Sequence, residues 1–139
     1  MIAVSQQTSA SVDEVWAVLS DLERWGDLLP TFSSVTHLAG PEPTGVGTRF
    51  EVRQPGLPTA VYEVSSWEPG RGFTWAARTR GATTAATHEL TSSPTGCTLT
   101  QSITWTGPLA RAIRLLLAAK VRRMVAAETA SLLRLAERA

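Results

Sequence analysis

The sequence predicts an α+β fold: a seven-stranded antiparallel sheet, one long C-terminal helix, and two short helices between the first and second strands. Three observations predict it. Seven segments of strand character are bounded by Gly, Pro, Asp or Ser turns of hairpin length. A helix-start signature separates the first strand from the rest. From Pro108 to Arg138 one helical pattern runs almost unbroken.

The elements follow in order. Ile2 to Thr8 reads as a strand. Ser11 stands three residues before Glu14, the spacing at which each side chain caps the other's backbone N–H. Val12, Val15, Trp16 and Leu19 then recur at helical spacing, giving a first helix from Ser11 to Leu22. Glu23 to Pro30 carries Trp25, Leu28 and Leu29 on one edge and reads as a one- or two-turn helix ended by Pro30. Strands follow over Phe32 to Leu38, Thr48 to Gln54, Thr59 to Trp67, Phe73 to Thr79, Thr83 to Thr91 and Cys97 to Thr106. The turns between them carry Gly40-Pro41, Pro55-Gly56, Pro69-Gly70, Arg80-Gly81, Pro94-Thr95-Gly96 and Gly107-Pro108. Links this short favour an antiparallel meander. No repeat, linker or composition shift divides the chain, so residues 1–139 are expected to form one domain with a self-sufficient core.

The composition excludes several classes. Cys97 is the single cysteine and has no partner for a disulfide or a metal site, which fits a reducing compartment, with cytoplasm as the default. No signal-peptide pattern opens the chain and no window holds eighteen apolar residues, so no stable membrane insertion is expected. Seven of the thirteen Lys and Arg, but two of the twelve Asp and Glu, lie from Pro108 onward. That basic helix is read first as a solvated face, and alternatively as a surface for an anionic partner. No RNA-binding aromatic signature or phosphate loop accompanies it, and nucleic acid is not expected as a partner. A nucleophile elbow, metal-spaced acids and a Ser or Cys beside a base are also missing, so neither a metal nor another cofactor is implied.

At ~1.5 Å per residue, the last helix spans ~45 Å, more than one face of a small sheet needs. It therefore reads as closing something. Advanced at ~100° per residue, Leu109, Ile113, Leu116, Leu117, Val121, Met124, Leu132 and Leu135 share a broad arc, with Leu115 off its centre. Glu128 falls inside that arc. Either the stripe has reached the edge of the domain there and the carboxylate meets an Arg or solvent, or it faces a cavity.

The last two strands can be paired from their turn. If Leu90 faces Leu99, then His88 faces Gln101, Ala86 faces Ile103 and Thr84 faces Trp105, all on one side. The opposite side of the last strand, Thr98, Thr100, Ser102, Thr104 and Thr106, suits solvent. His88 and Gln101 are thus expected as a polar couple inside an apolar wall. They either satisfy each other as core residues or orient a ligand in a mostly apolar pocket. Phe73 and Trp75 share a face by alternation, as do Tyr62 and Val64, with the direction of Trp75 left open.

Several motifs carry a resemblance: Ser11-Val12-Asp13-Glu14-Val15-Trp16 with Leu19, Asp21, Trp25 and Pro30; Gly45-Val46-Gly47-Thr48-Arg49-Phe50; Trp67-Glu68-Pro69-Gly70-Arg71-Gly72-Phe73-Thr74-Trp75; and Gly96-Cys97-Thr98-Leu99-Thr100 before the long helix. Across essentially the whole chain these resemble the START-like (SRPBCC) superfamily, in its polyketide cyclase/dehydrase and lipid-transport branch. The resemblance implies a helix-grip fold, with the sheet wrapped around the C-terminal helix and a cavity for a hydrophobic small molecule between them. It does not imply a chemistry, because the motifs are structural.

The leading expectation is a protein that binds a polyketide, lipid, quinone or other aromatic metabolite, as a monomer or homodimer. Its expected ligand contacts are His88, Gln101, Ile103, Trp105, Trp75 and Tyr62 from the sheet, with Ile113, Leu117, Val121 and Met124 from the helix. The alternative is a cyclase/dehydrase-type enzyme with His88 as general acid/base assisted by Glu128 or Gln101. A third reading is a protein-interaction module using the basic helix face.

Overall fold

The computed structural model describes residues 1–138. The chain runs β1 (Ile2–Thr8), α1 (Val12–Leu19), a 3-10 turn (Leu22–Arg24), α2 (Trp25–Leu28), β2 (Ser34–Ala39), β3 (Arg49–Arg53), β4 (Ala60–Glu68), β5 (Gly72–Thr79), β6 (Ala82–Ser93), β7 (Gly96–Thr106) and α3 (Ala110–Glu137). The seven strands form one antiparallel sheet in the order β1-β7-β6-β5-β4-β3-β2. This is the helix-grip arrangement that the sequence resemblance implies.

The start of α1 carries the capping box read from the sequence. Ser11 Oγ accepts from the Glu14 N–H at 3.1 Å, and Glu14 Oε1 accepts from the Ser11 N–H at 2.9 Å. The helix ends earlier than Leu22. Ser20 Oγ donates back to the Trp16 carbonyl at 2.7 Å, and the chain turns there into the 3-10 segment. Register shifts between His37 and Ala39 and between Val64 and Ser66 bend the sheet, as extra residues in one strand of a pair do. The curved sheet holds α3 against β1, β7 and α1.

Two apolar clusters divide the interior. The larger joins Val15 and Leu19 of α1, Trp25 of α2, Phe50, Val64, Phe73, Trp75 and Leu99 of the sheet, and Leu132, Leu133 and Ala136 of α3. The smaller joins Ile2, Val121 and Val125, with Ile103, Trp105 and Leu117 packed beside them. The far end of α3 is pinned where Thr8 Oγ1 donates to Glu137 Oε2 at 2.6 Å.

The helical arc expected from the sequence is corrected in both halves of α3. Leu116 is 82% exposed and Leu109 51%, whereas Leu133, outside that arc, is buried. Leu116 lies at the margin of that arc, about 100° around the helix from Leu117, and faces out, while Ile113 and Leu117 in the same turns line the interior. The threonine row of β7 is half-buried over most of its length rather than fully solvated, since neighbouring strands flank it and Ser5 Oγ and Thr100 Oγ1 lie 2.8 Å apart.

Gly72 has a structural role at the centre of the sheet. Its φ of +151° is one that L side chains rarely adopt, and a Cβ there would collide with the His88 carbonyl oxygen. Leu132→Ala should lower unfolding free energy by about 2–5 kcal/mol. Leu116→Ala, one of the residues on the predicted arc, should stay within about 0.5 kcal/mol of wild type in the same denaturant titrations.

Candidate functional site

Strand pairing builds the inner wall. β6 and β7 pair with Leu90 opposite Leu99, His88 opposite Gln101, Ala86 opposite Ile103 and Thr84 opposite Trp105, the register read from the turn. β5 places Phe73 opposite His88 and Trp75 opposite Ala86, and both aromatic side chains point into the interior. Tyr62 joins from β4, its ring centroid 4.9 Å from that of Trp75.

Between this wall and α3 lies a cavity of about 400 Å³. All ten residues named from the sequence as ligand contacts line it, and so does Glu128. The lining is mostly apolar: Phe32, Val52, Trp75, Ile103 and Trp105 from one side, Ile113, Leu117, Val121 and Met124 from the helix. The β3–β4 loop, including Gln54, Leu57 and Pro58, lines it as well. Lys120 Nζ on α3 donates to the Gly56 carbonyl of that loop at 2.7 Å, so the helix is tied to the loop across the cavity. Sequence reading missed this loop and Phe32. The available signal was Leu57, a large apolar residue inside a turn, where Gly, Pro, Asn, Asp and Ser are usual.

The polar end of the cavity is formed by His88, Gln101 and Glu128, all buried. His88 and Gln101 do not hydrogen-bond each other. His88 Nδ1 lies 3.3 Å from the Phe73 carbonyl oxygen, which can only accept, so Nδ1 carries the proton and Nε2 keeps its lone pair. Phe73 also stacks on the imidazole, with centroids 4.1 Å apart and planes 12° apart, while Trp25 and Trp75 pack around it. Nε2 stands 4.0 Å from Glu128 Oε2, too far for a direct hydrogen bond. Glu128 therefore faces the cavity and His88, and of the two readings of its place in the helical stripe the cavity holds.

Burial sets the charge states. Removal from water lowers the His88 pKa to about 4, against a smaller opposite pull from the Phe73 carbonyl. The same desolvation raises Glu128 to about 8. At neutral pH the pair is thus a neutral imidazole beside a mostly protonated carboxyl, not an ion pair. Burial, and secondarily the Glu128 charge, push Tyr62 up to about 12. Gln101 is 2% exposed, and among the described residues its Nε2 has no hydrogen-bond partner. No group of three His, Cys, Asp or Glu among the described residues is placed to hold a metal ion. No helix of the described residues is long and apolar enough to cross a membrane.

An antiparallel sheet gripping a long helix, with an apolar cavity between them and a few uncharged polar groups at one end, defines a hydrophobic-ligand-binding fold. The chain belongs to the polyketide cyclase/dehydrase and lipid transport family, whose model matches residues 1–138, within the START-like superfamily. No protein of curated function matches the sequence. Among solved structures it is similar to the di-domain ARO/CYC StfQ from the steffimycin biosynthetic pathway, with a TM-score of 0.71, 15% identity, and coverage of 98% of this chain and 48% of that one. It therefore spans about half the length of that protein. It is also similar to norcoclaurine synthase from Thalictrum flavum in complex with dopamine and hydroxybenzaldehyde (TM-score 0.77, 16% identity, 99% and 86% coverage). A third similar structure is Ara h 8.0201 (TM-score 0.67, 12% identity, 95% and 96% coverage). At such identities the likeness to these structures shows the fold alone.

The two buried titrating groups act on stability in opposite directions. Glu128 has a folded pKa raised from 4.5 to about 8, so its favourable share is full below 4.5 and is lost as pH rises toward 8. His88 is lowered from 6.5 to about 4, so its share is full above 6.5 and is lost as pH falls toward 4. The two offset each other up to pH 6.5, and above it Glu128 acts alone. Unfolding free energy of the wild type should fall by roughly 2 kcal/mol between pH 6.5 and 8. Glu128→Gln should be flat over that interval in urea titrations.

Proposed function

We propose that this chain binds an uncharged, largely apolar molecule bearing at least one hydrogen-bond acceptor, such as the carbonyl of an aromatic polyketide or a quinone. The observation that carries the reading is Gln101: a primary amide 2% exposed, on the wall of an apolar cavity, with an N–H donor that has no partner among the described residues. A buried donor without an acceptor costs about 1–3 kcal/mol, which a ligand oxygen would recover. The protonated Glu128 carboxyl would offer a second donor, and His88 Nε2 an acceptor. A carboxylate or ammonium on the ligand would meet no opposite charge at this end and would have to shed its water. The volume of about 400 Å³ falls in the ~300–1,000 Å³ range of small-molecule sites. Two of the similar structures are an ARO/CYC and a synthase bound to dopamine and hydroxybenzaldehyde, and hydroxybenzaldehyde is an aromatic carbonyl compound. Such a ligand would be held mainly by burial of its apolar area against Trp75, Ile103, Ile113, Leu117, Val121 and Met124, with Tyr62 and Trp105 flanking it.

A second reading is acid-base catalysis of the cyclase/dehydrase type, favoured by one observation. A neutral imidazole with a free Nε2 lone pair and a protonated carboxyl lie 4.0 Å apart, a base and an acid facing one cavity. His88 would accept a proton from the substrate and Glu128 would donate one to a developing enolate or leaving hydroxyl.

Anthraquinone and anthracene share a ring frame and differ in their carbonyls, so they separate the Gln101 anchor from simple burial. Wild type should bind anthraquinone about five- to tenfold more tightly, by quenching of tryptophan emission, and Gln101→Leu should erase that preference. Equal affinities in wild type would remove Gln101 from the reading. Native mass spectrometry of freshly purified protein should find an uncharged aromatic or lipid-like molecule, and an anion there would contradict the proposal. With that molecule as substrate, His88→Ala should cut turnover by about 10²–10⁴ with affinity within tenfold if the catalytic reading holds. Parallel loss of both would leave binding alone.

A further inference from the structure

The first half of α3 carries apolar residues on both sides, with arginines among those of the outer side. Its inner face, with Ile113, Leu117, Val121 and Met124, lines the cavity. Its outer face, advanced at ~100° per residue, runs Ala112, Leu115, Ala119 and Ala126, all exposed, with Leu116 beside them. Leu115 and Leu116 are 81% and 82% exposed, the two most exposed large apolar side chains among the described residues. Large apolar side chains this exposed on the side of a helix away from the core are uncommon unless something covers them.

Charge distribution narrows what covers this face. No Asp or Glu occurs between Glu89 and Glu128. Arg111, Arg114, Arg122 and Arg123 are all exposed around the leucines, and none forms an ion pair among the described residues. A second copy docking by two-fold symmetry would set this patch against itself, cation against cation. An anionic surface complements it, and exposed leucines flanked by arginines are the side-chain set of a helix lying in the headgroup layer of a bilayer.

We propose that the first half of α3 docks on an anionic lipid surface, inserting Leu115 and Leu116 while Arg111, Arg114, Arg122 and Arg123 meet the phosphates. The docking face and the cavity-lining face are opposite sides of the same four turns of helix. Docking thus places the helix that walls the cavity against the bilayer, beside a reservoir of apolar, sparingly soluble molecules. Only that purpose rests on the ligand-binding reading; the docking does not.

Flotation of the full chain with vesicles tests it, with no ligand added. Vesicles of phosphatidylcholine containing phosphatidylglycerol should carry the protein at low salt, and vesicles of phosphatidylcholine alone should carry at least about tenfold less. Leu115→Ser with Leu116→Ser should reduce binding to the anionic vesicles at least about tenfold. Arg122→Glu with Arg123→Glu gives a second variant that keeps the leucines and should lose binding as well. No binding to anionic vesicles overturns the proposal. Binding unchanged by the leucine substitutions overturns insertion and leaves surface adsorption by charge alone. A concentration-dependent dimer in sedimentation velocity that disappears in the leucine variant assigns the face to a second copy and likewise overturns it. Anthraquinone binding measured on the same variants should match wild type, so failure of docking and failure of the cavity reading remain separate outcomes.

Discussion

The register of β6 against β7 is the constraint on which the rest of the molecule depends. These are the longest strands, of twelve and eleven residues, and one pairing places Leu90, His88, Ala86 and Thr84 on the same face as Leu99, Gln101, Ile103 and Trp105. A slip of one residue in β7 would turn Gln101 outward, away from His88, and bring the threonine row of β7 inside. Because β7 also pairs with β1 and β6 with β5, such a slip would break the alignment of four strands at once. That register is held by apolar alternation on one face, and the register of β5 against β6 by the close approach of Gly72 to the His88 backbone.

That register sets up the chemistry of the cavity. His88 is fixed on three sides, by the Phe73 carbonyl, the stacked Phe73 ring and the two tryptophans, so its free nitrogen can only face α3. Glu128 answers from the helix in the stretch between the two apolar clusters. Neither partner gains enough from the other at 4.0 Å to offset the loss of water, and both stay neutral. The result is a polar site without net charge inside an apolar cavity, suited to orienting an uncharged molecule or to moving a proton within it.

The helix divides its work along its length. Its second half completes the core through Leu132, Leu133 and Ala136, and its end is tied to β1 through Thr8. The first half contributes little to the core: one side walls the cavity and the other meets the exterior. Most of the core contribution therefore comes from the second half of the helix and most of the cavity wall from the first, with Val121 and Val125 serving both. Changes at the cavity need not unfold the protein.

The order of elements, the hairpin connections and the inward face of β6 and β7 are legible in the sequence, because each rests on local chemistry. The capping box at Ser11 and Glu14, the Gly and Pro turns, and the two-residue alternation through His88 and Gln101 act within a few residues of chain. Membership in the family was legible from the same motifs. Only the tertiary structure decided that Glu128 looks into a cavity, that Leu116 lies outside the core, and that the loop around Leu57 and Pro58 lines the site. Helical periodicity groups residues on an arc but does not say where that arc's buried margin falls, since the margin is set by which neighbouring elements pack against each turn. Whether a carboxylate in an apolar stripe meets solvent or a cavity is decided by what stands opposite it, and opposite Glu128 stands a histidine forty residues earlier in the chain.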